Sequence, residues 1–130
     1  MYVKQLMTKS PETVEVTATI RQAVRKLFEL EIRHLPVMDN GELVGMISDR
    51  DLRSYFPVME EEAGRTTAIQ RLLDRPVSSM MQGDPLTVDD ESDITEAIDL
   101  LLEHKVGALP VVDSATGKLR GILSYIDILR

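Results

Sequence analysis

Two short segments carry the same pair of polar side chains at the same spacing: Gly45-Met46-Ile47-Ser48-Asp49-Arg50-Asp51 and Gly121-Ile122-Leu123-Ser124-Tyr125-Ile126-Asp127. In each, a Ser closes an apolar run that reads as a strand, and an Asp stands three residues later, where a helix opens. That spacing puts both side chains at one rim. A carboxylate only accepts hydrogen bonds, so it suits two adjacent hydroxyl donors, such as a sugar diol, and repels a phosphate. The Ser hydroxyl and the free N–H groups of the helix start suit the other side of such a molecule and an anion. Taken one copy at a time, each pair is also what an N-cap needs. Capping and ligand binding can share these residues.

Other chemistry is poorly supplied. There are no cysteines and two histidines, so thiol catalysis, disulfides and thiolate metal sites are excluded. No nucleophile–base–acid set and no Gly-x-Ser-x-Gly elbow occur, and no Gly-x-Gly-x-x-Gly follows a strand. Asp89-Asp90-Glu91-Asp93 looks like a metal cluster, but it lies at a helix start, where acids favour the dipole. It also lacks the Gly and closing Glu of a calcium loop. The expectation is a binding protein with no catalytic residues, no metal and no catalytic cofactor.

The 130 residues are the size of one domain or two small halves, and 43% of them are apolar. A net charge of −7, with 22 acidic against 15 basic residues, makes nucleic acid a poor partner. No apolar run approaches the ~20 residues of a spanning helix, and Met1-Tyr2-Val3-Lys4-Gln5-Leu6 lacks a signal-peptide core. A cytoplasmic protein without a membrane partner is expected.

The elements that must position the two Ser–Asp pairs are themselves repeated. Pro11-Glu12-Thr13-Val14 returns as Pro85-Leu86-Thr87-Val88, and Leu35-Pro36-Val37-Met38-Asp39 as Leu109-Pro110-Val111-Val112-Asp113, both shifted by 74 positions. Met7 and Met81, Ile20 and Ile94, Ala23 and Ala97, and Leu27 and Leu101 obey the same shift. After Asp39 the shift becomes 76, as Gly41, Leu43, Gly45, Ser48 and Asp51 match Gly117, Leu119, Gly121, Ser124 and Asp127. Asp39-Asn40-Gly41-Glu42 reads as a tight hairpin turn with positive φ at Asn-Gly. The second copy adds two residues to that turn, which a hairpin loop tolerates.

Each repeat predicts strand, helix, hairpin, helix. Short strands fall near Thr13–Val16 and Thr87–Val88. Ile20, Val24, Leu27 and Phe28 share one helix face, as do Ile94, Ala97, Ile98, Leu101 and Leu102. Thr19 with Gln22 and Asp93 with Glu96 are spaced as capping boxes. Hairpins pair Leu35–Asp39 with Leu43–Ser48 and Leu109–Asp113 with Leu119–Ser124, and second helices start near Asp51 and Asp127. Between the copies, Tyr55 to Arg75 reads as a surface loop holding Glu60-Glu61-Glu62 and Gly64, then a short helix around Thr67–Asp74. The division is residues 1–56, a connector 57–76, and residues 77–130.

Two ordered copies of Pro-x-Thr-Val, a helix, Leu-Pro-Val-x-Asp and Gly-x-x-Ser-x-x-Asp resemble a tandem CBS pair, or Bateman module, over nearly the whole chain. The resemblance implies an α/β (α+β) fold of two β-α-β-β-α repeats packed with pseudo-twofold symmetry. It implies a homodimer, often disc-like. It also implies a regulatory role: such modules sense adenosyl ligands (AMP, ADP, ATP, S-adenosylmethionine), with or without Mg2+, and control an attached effector domain or a partner protein. The chain stops at Ile128-Leu129-Arg130, one turn into the last helix, which suits a piece of a longer protein.

Carried over by position, Asp51 and Asp127 would hold a ribose. Basic residues before Leu-Pro-Val would reach the phosphate of a ligand held by the other repeat, and small ones would line the cavity of their own. The resemblance thus implies a favoured site of Ser124, Asp127, Val106, Gly107, Ala108 and Thr87, completed by Arg33 and His34. Arg33 is always charged and grips phosphate in a fork; His34 adds charge as pH falls. A weaker site comprises Ser48, Asp51, Arg50 and Thr13, with Arg50 as its nearby cation. Apart from the family, Arg33 and His34 suit a helix C-terminus. The competing function is a dimerisation or protein-interaction module with degenerate ligand sites.

Overall fold

Helix α1 (Ile20–Glu29) shows how the sequence builds each half. Thr19 takes an extended backbone and its hydroxyl accepts from the Gln22 N–H at 3.2 Å, while Gln22 Oε1 accepts from the Thr19 N–H at 2.9 Å. Two orphan donors are thereby satisfied at the helix entry. Ile20, Ala23 and Leu27 then fall on one buried stripe. Helix α4 (Ile94–His104) buries the equivalent Ala97 and Leu101. Its cap differs from the expected box: Asp93 accepts from the N–H and hydroxyl of Thr95, and also pairs with the N-terminal amine at 3.4 Å.

The computed structural model describes residues 1–55 and 62–130. The remaining elements are, in chain order, β1 (Thr8–Lys9), β2 (Val14–Glu15), β3 (His34–Asp39), β4 (Glu42–Ser48), α2 (Asp49–Tyr55), α3 (Glu62–Leu73), β5 (Gln82–Gly83), β6 (Val88–Asp89), β7 (Ala108–Val112), β8 (Leu119–Ser124) and α5 (Tyr125–Leu129). The fold is mixed α/β, with two four-stranded sheets ordered β2-β3-β4-β5 and β1-β8-β7-β6. The β3–β4 turn has φ of 50° at Asn40 and 84° at Gly41, as the Asn-Gly pair predicts.

Two compact units result. The first holds Thr13–Asp39 and Val44–Gly83; the second holds Met1–Glu12, Asn40–Leu43 and Asp84–Arg130. Each unit is built mainly on one of the two sequence repeats. In the first unit β2 runs parallel to β3, with Val14 opposite Val37, and β5 runs antiparallel to β4, with Gly83 opposite Gly45. In the second, β6 runs parallel to β7, with Val88 opposite Val111, and β1 runs antiparallel to β8, with Lys9 opposite Gly121. Each of these antiparallel edge strands therefore comes from the start of the other repeat.

Each unit has its own apolar core. Ile20, Leu35, Val37, Ile47 and Val77 are fully buried in the first, and Val3, Leu109, Val111 and Leu123 in the second. The connector contributes Leu72, also buried in the first core. Helix α3 begins about a turn earlier than the sequence suggests and includes Gly64, since one Gly costs only ~1 kcal/mol in a helix. Of the expected acidic run, Glu60 and Glu61 lie outside the described residues.

Phe28 and Leu102 do not join the buried faces assigned to them. They are 84% and 71% exposed. Each lies one position past a buried Leu, and at about 100° per residue that step carries the side chain off the sheet-facing stripe.

Candidate functional site

Both Ser–Asp rims form, each within its own unit. Ser48 ends β4 and its N–H and hydroxyl donate to Asp51 Oδ2 at 3.0 and 2.9 Å; the Asp51 N–H donates back to Ser48 Oγ at 3.2 Å. Ser124 ends β8 and does the same with Asp127 Oδ2 at 2.9 and 3.2 Å, with a return bond of 3.3 Å. These are reciprocal caps of the helix starts. All four residues are half-buried, so the capping reading is realised while the side chains stay within reach of solvent.

Backbone geometry repeats beneath the side chains. The Arg33 carbonyl accepts from the Asp49 N–H at 3.0 Å, and the Gly107 carbonyl accepts from the Tyr125 N–H at 3.2 Å. Ala108 lies opposite Ser124 in the β7–β8 ladder. The first residue of β3 and of β7, and the residue just before each, thus flank the Ser–Asp pairs of their own units. In the second unit those residues are the half-buried Gly107 and the buried Ala108, after the 39% exposed Val106. In the first unit they are the exposed Arg33 and the half-buried His34. Arg50 is exposed in the first turn of α2.

Thr13 and Thr87 stand just before β2 and β6, both half-buried. The Thr13 carbonyl accepts from Lys26 Nζ at 2.5 Å, tying that strand to α1. The neighbouring strands β3 and β7 separate β2 and β6 from the strands that end at Ser48 and Ser124.

The charge expected of His34 is displaced. Burial pushes its pKa down, and Asp49 and Asp51 offset this only in part, with Arg33 adding to the depression. Its positive charge therefore arrives at more acidic pH than for an ordinary histidine.

The acidic cluster is accounted for by local structure. Asp89 Oδ1 accepts from the Glu91 N–H and Oδ2 from the Ser114 N–H, each at 2.8 Å. Hydrogen bonds from Ser114 and the Glu91 backbone hold its pKa down at about 2. Among the described residues, no three His, Cys, Asp or Glu side chains are grouped to hold a metal. Nor, among them, is any helix long and apolar enough to cross a membrane.

The sequence motifs do not reveal Gln82. Its side-chain Nε2 donates to Asp51 Oδ1 at 3.2 Å. The 74-residue shift places Thr8 at the equivalent position, so the difference is visible as a Gln against a Thr. What hides its meaning is that β5 and β1 belong to the sheets of other repeats.

Comparison with known proteins agrees with this architecture. The CBS domain profile matches residues 3–64 and 77–130. A CBS domain-containing protein of Dictyostelium discoideum is 38% identical over 133 residues, covering 98% of this chain and 88% of that protein. CBSX1, a chloroplastic CBS domain-containing protein of Arabidopsis thaliana, is 34% identical over 98% of this chain, which spans 62% of it. Among solved structures, CBSX2 in complex with AMP superposes with a TM-score of 0.81 at 33% identity, covering 99% of this chain and 93% of that one. The repeated motifs, the two like sheets and these matches agree: the chain belongs to the CBS domain family, as a tandem pair of repeats.

Proposed function

We propose that the chain is a regulatory ligand-sensing module that binds an adenine nucleotide through the Ser124–Asp127 rim and controls an attached or partner effector. One observation carries the choice of rim. Asp127 spends Oδ2 on its cap, and Oδ1 has no hydrogen-bond partner among the described residues. A carboxylate oxygen offers two acceptor positions, as many as a ribose diol requires. The flanking Gly107 and Ala108 add no bulk. The AMP-bound state of CBSX2, one-third identical over nearly the full chain, supports the ligand class. The reading assigns no reaction to the chain.

Calorimetric titration with AMP, ADP, ATP and S-adenosylmethionine, with and without Mg2+, tests it. AMP is expected to bind and to raise the melting temperature. Asp127→Asn keeps an acceptor for the cap but loses the charge, and is expected to weaken AMP at least about tenfold, the effect of losing a hydrogen bond to a charged group. Unchanged AMP affinity in Asp127→Asn rejects the site.

A second reading, a dimerisation or interaction module, is favoured by the exposure of Phe28 and Leu102, equivalent residues on α1 and α4. It predicts a homodimer that persists without nucleotide. Sedimentation of the wild type and of Phe28→Glu should show a dimer in the first and a monomer in the second. A monomeric wild type removes this reading.

A further inference from the structure

The two rims are built alike but loaded differently. Gln82 on β5 lies opposite Met46 on β4, and Thr8 on β1 lies opposite Ile122 on β8. Both edge-strand residues thus hold the same place relative to their carboxylates. The glutamine amide reaches Asp51 Oδ1 at 3.2 Å. Threonine is two bonds shorter, and among the described residues Thr8 makes no such bond to Asp127.

The acceptor positions left open differ between the two carboxylates. A carboxylate has about four lone-pair positions. Asp51 gives two to the N–H and hydroxyl of Ser48 and a third to Gln82. One remains, too few for a vicinal diol. Asp127 gives two to Ser124, and two remain.

We infer that Gln82 is a specificity-determining residue that closes the Ser48–Asp51 rim to diol-bearing ligands, leaving Asp51 as a structural cap and the chain with one nucleotide site. This rests on the proposed role of Asp127. A competing ligand must displace the amide, which lowers affinity by about tenfold or more.

Reciprocal exchange of the two residues tests this in the intact chain. Wild type should bind AMP at one site. Gln82→Thr should bind at two, and in Gln82→Thr/Asp127→Asn one site should remain, now dependent on Asp51. Thr8→Gln should weaken binding at Asp127 about tenfold while the melting temperature stays near that of wild type. If Asp127→Asn loses AMP but both exchanges leave stoichiometry and affinity unchanged, the inference about Gln82 fails and the proposed site stands. If Asp127→Asn binds as wild type does, the proposed site fails. A nucleotide-free check is NMR of the Gln82 side-chain amide. Its resonances should move on Asp51→Asn, and unmoved resonances overturn the inference even if no AMP is bound.

Discussion

Removal of residues 1–9 is expected to unfold the second unit, although these residues lie outside the repeat that supplies most of it. Val3 is fully buried in the second core, where Leu6 and Met7 pack against it. The Val3 and Lys4 N–H groups donate to the Ser92 and Asp90 carbonyls at 2.9 Å, and the Met1 carbonyl accepts from the Ile94 N–H at 2.9 Å. β1 then pairs with β8. Burial of Val3 alone contributes about 1.5–3 kcal/mol. Adding Leu6, Met7 and the strand pairing brings the loss into the range of a domain's whole stability, about 5–15 kcal/mol. Hydrogen exchange would show it: amides of β7, β8 and α4 should lose protection well before those of β3, β4 and α1. Equal protection of β7 and β8 in full-length and shortened chains would refute the prediction.

The next largest effect is expected from a single methyl group. A Cβ on Gly121 would lie 2.6 Å from the Thr8 carbonyl oxygen and 2.7 Å from Met7 Sδ. Sulfur on a flexible side chain can give way; a backbone carbonyl inside a strand pair cannot move without shifting β1. Gly121→Ala should therefore cost about 1–3 kcal/mol, as overpacking does. Gly45→Ala meets the same arrangement in the first unit, with Met81 Sδ at 2.6 Å and the Gln82 carbonyl at 2.9 Å. Gly83→Ala is the control, since a Cβ there meets nothing within 4 Å. Chemical denaturation of the three variants should rank Gly121→Ala and Gly45→Ala far below Gly83→Ala. A Gly121→Ala midpoint equal to that of Gly83→Ala would remove the steric explanation.

These glycines mark how far the sequence is legible and where it stops being so. The registers of 74 and 76 residues correctly pair Gly45 with Gly121 and Met7 with Met81. The Asn40-Gly41 turn, the Thr19–Gln22 box and both Ser–Asp rims are also legible, because each is a local pattern with its own backbone requirement. The exchange of β1 and β5 is not. Each is two residues long, too short for alternation to show which sheet it joins. The exposure of Phe28 and Leu102 escapes because periodicity sets the direction of an apolar arc but not how much of it a sheet covers. The left-handed residues after α1 and α4, Glu31 and Lys105 with φ of 54° in both, carry no glycine to announce them. At the site, Arg33 and His34 lie beside Ser48 and Asp51 in one unit, and the desolvation that lowers the His34 pKa depends on packing that spacing does not reveal.

The exchanged edge strands also set a timetable for synthesis. β5 is made 34 residues after the end of β4, and the first sheet can close once Gly83 leaves the ribosome. β1 is made before any strand of the sheet it completes, and 112 residues separate Lys9 from its partner Gly121. At about 5–20 residues per second, the segment bearing Val3, Leu6 and Met7 waits roughly 6–22 s for its binding groove to exist. Through that interval its apolar side chains are open to chaperones and to neighbouring nascent chains. The second unit is thus the late and vulnerable step of folding in the cell, and a fusion placed ahead of residue 1 bears directly on it.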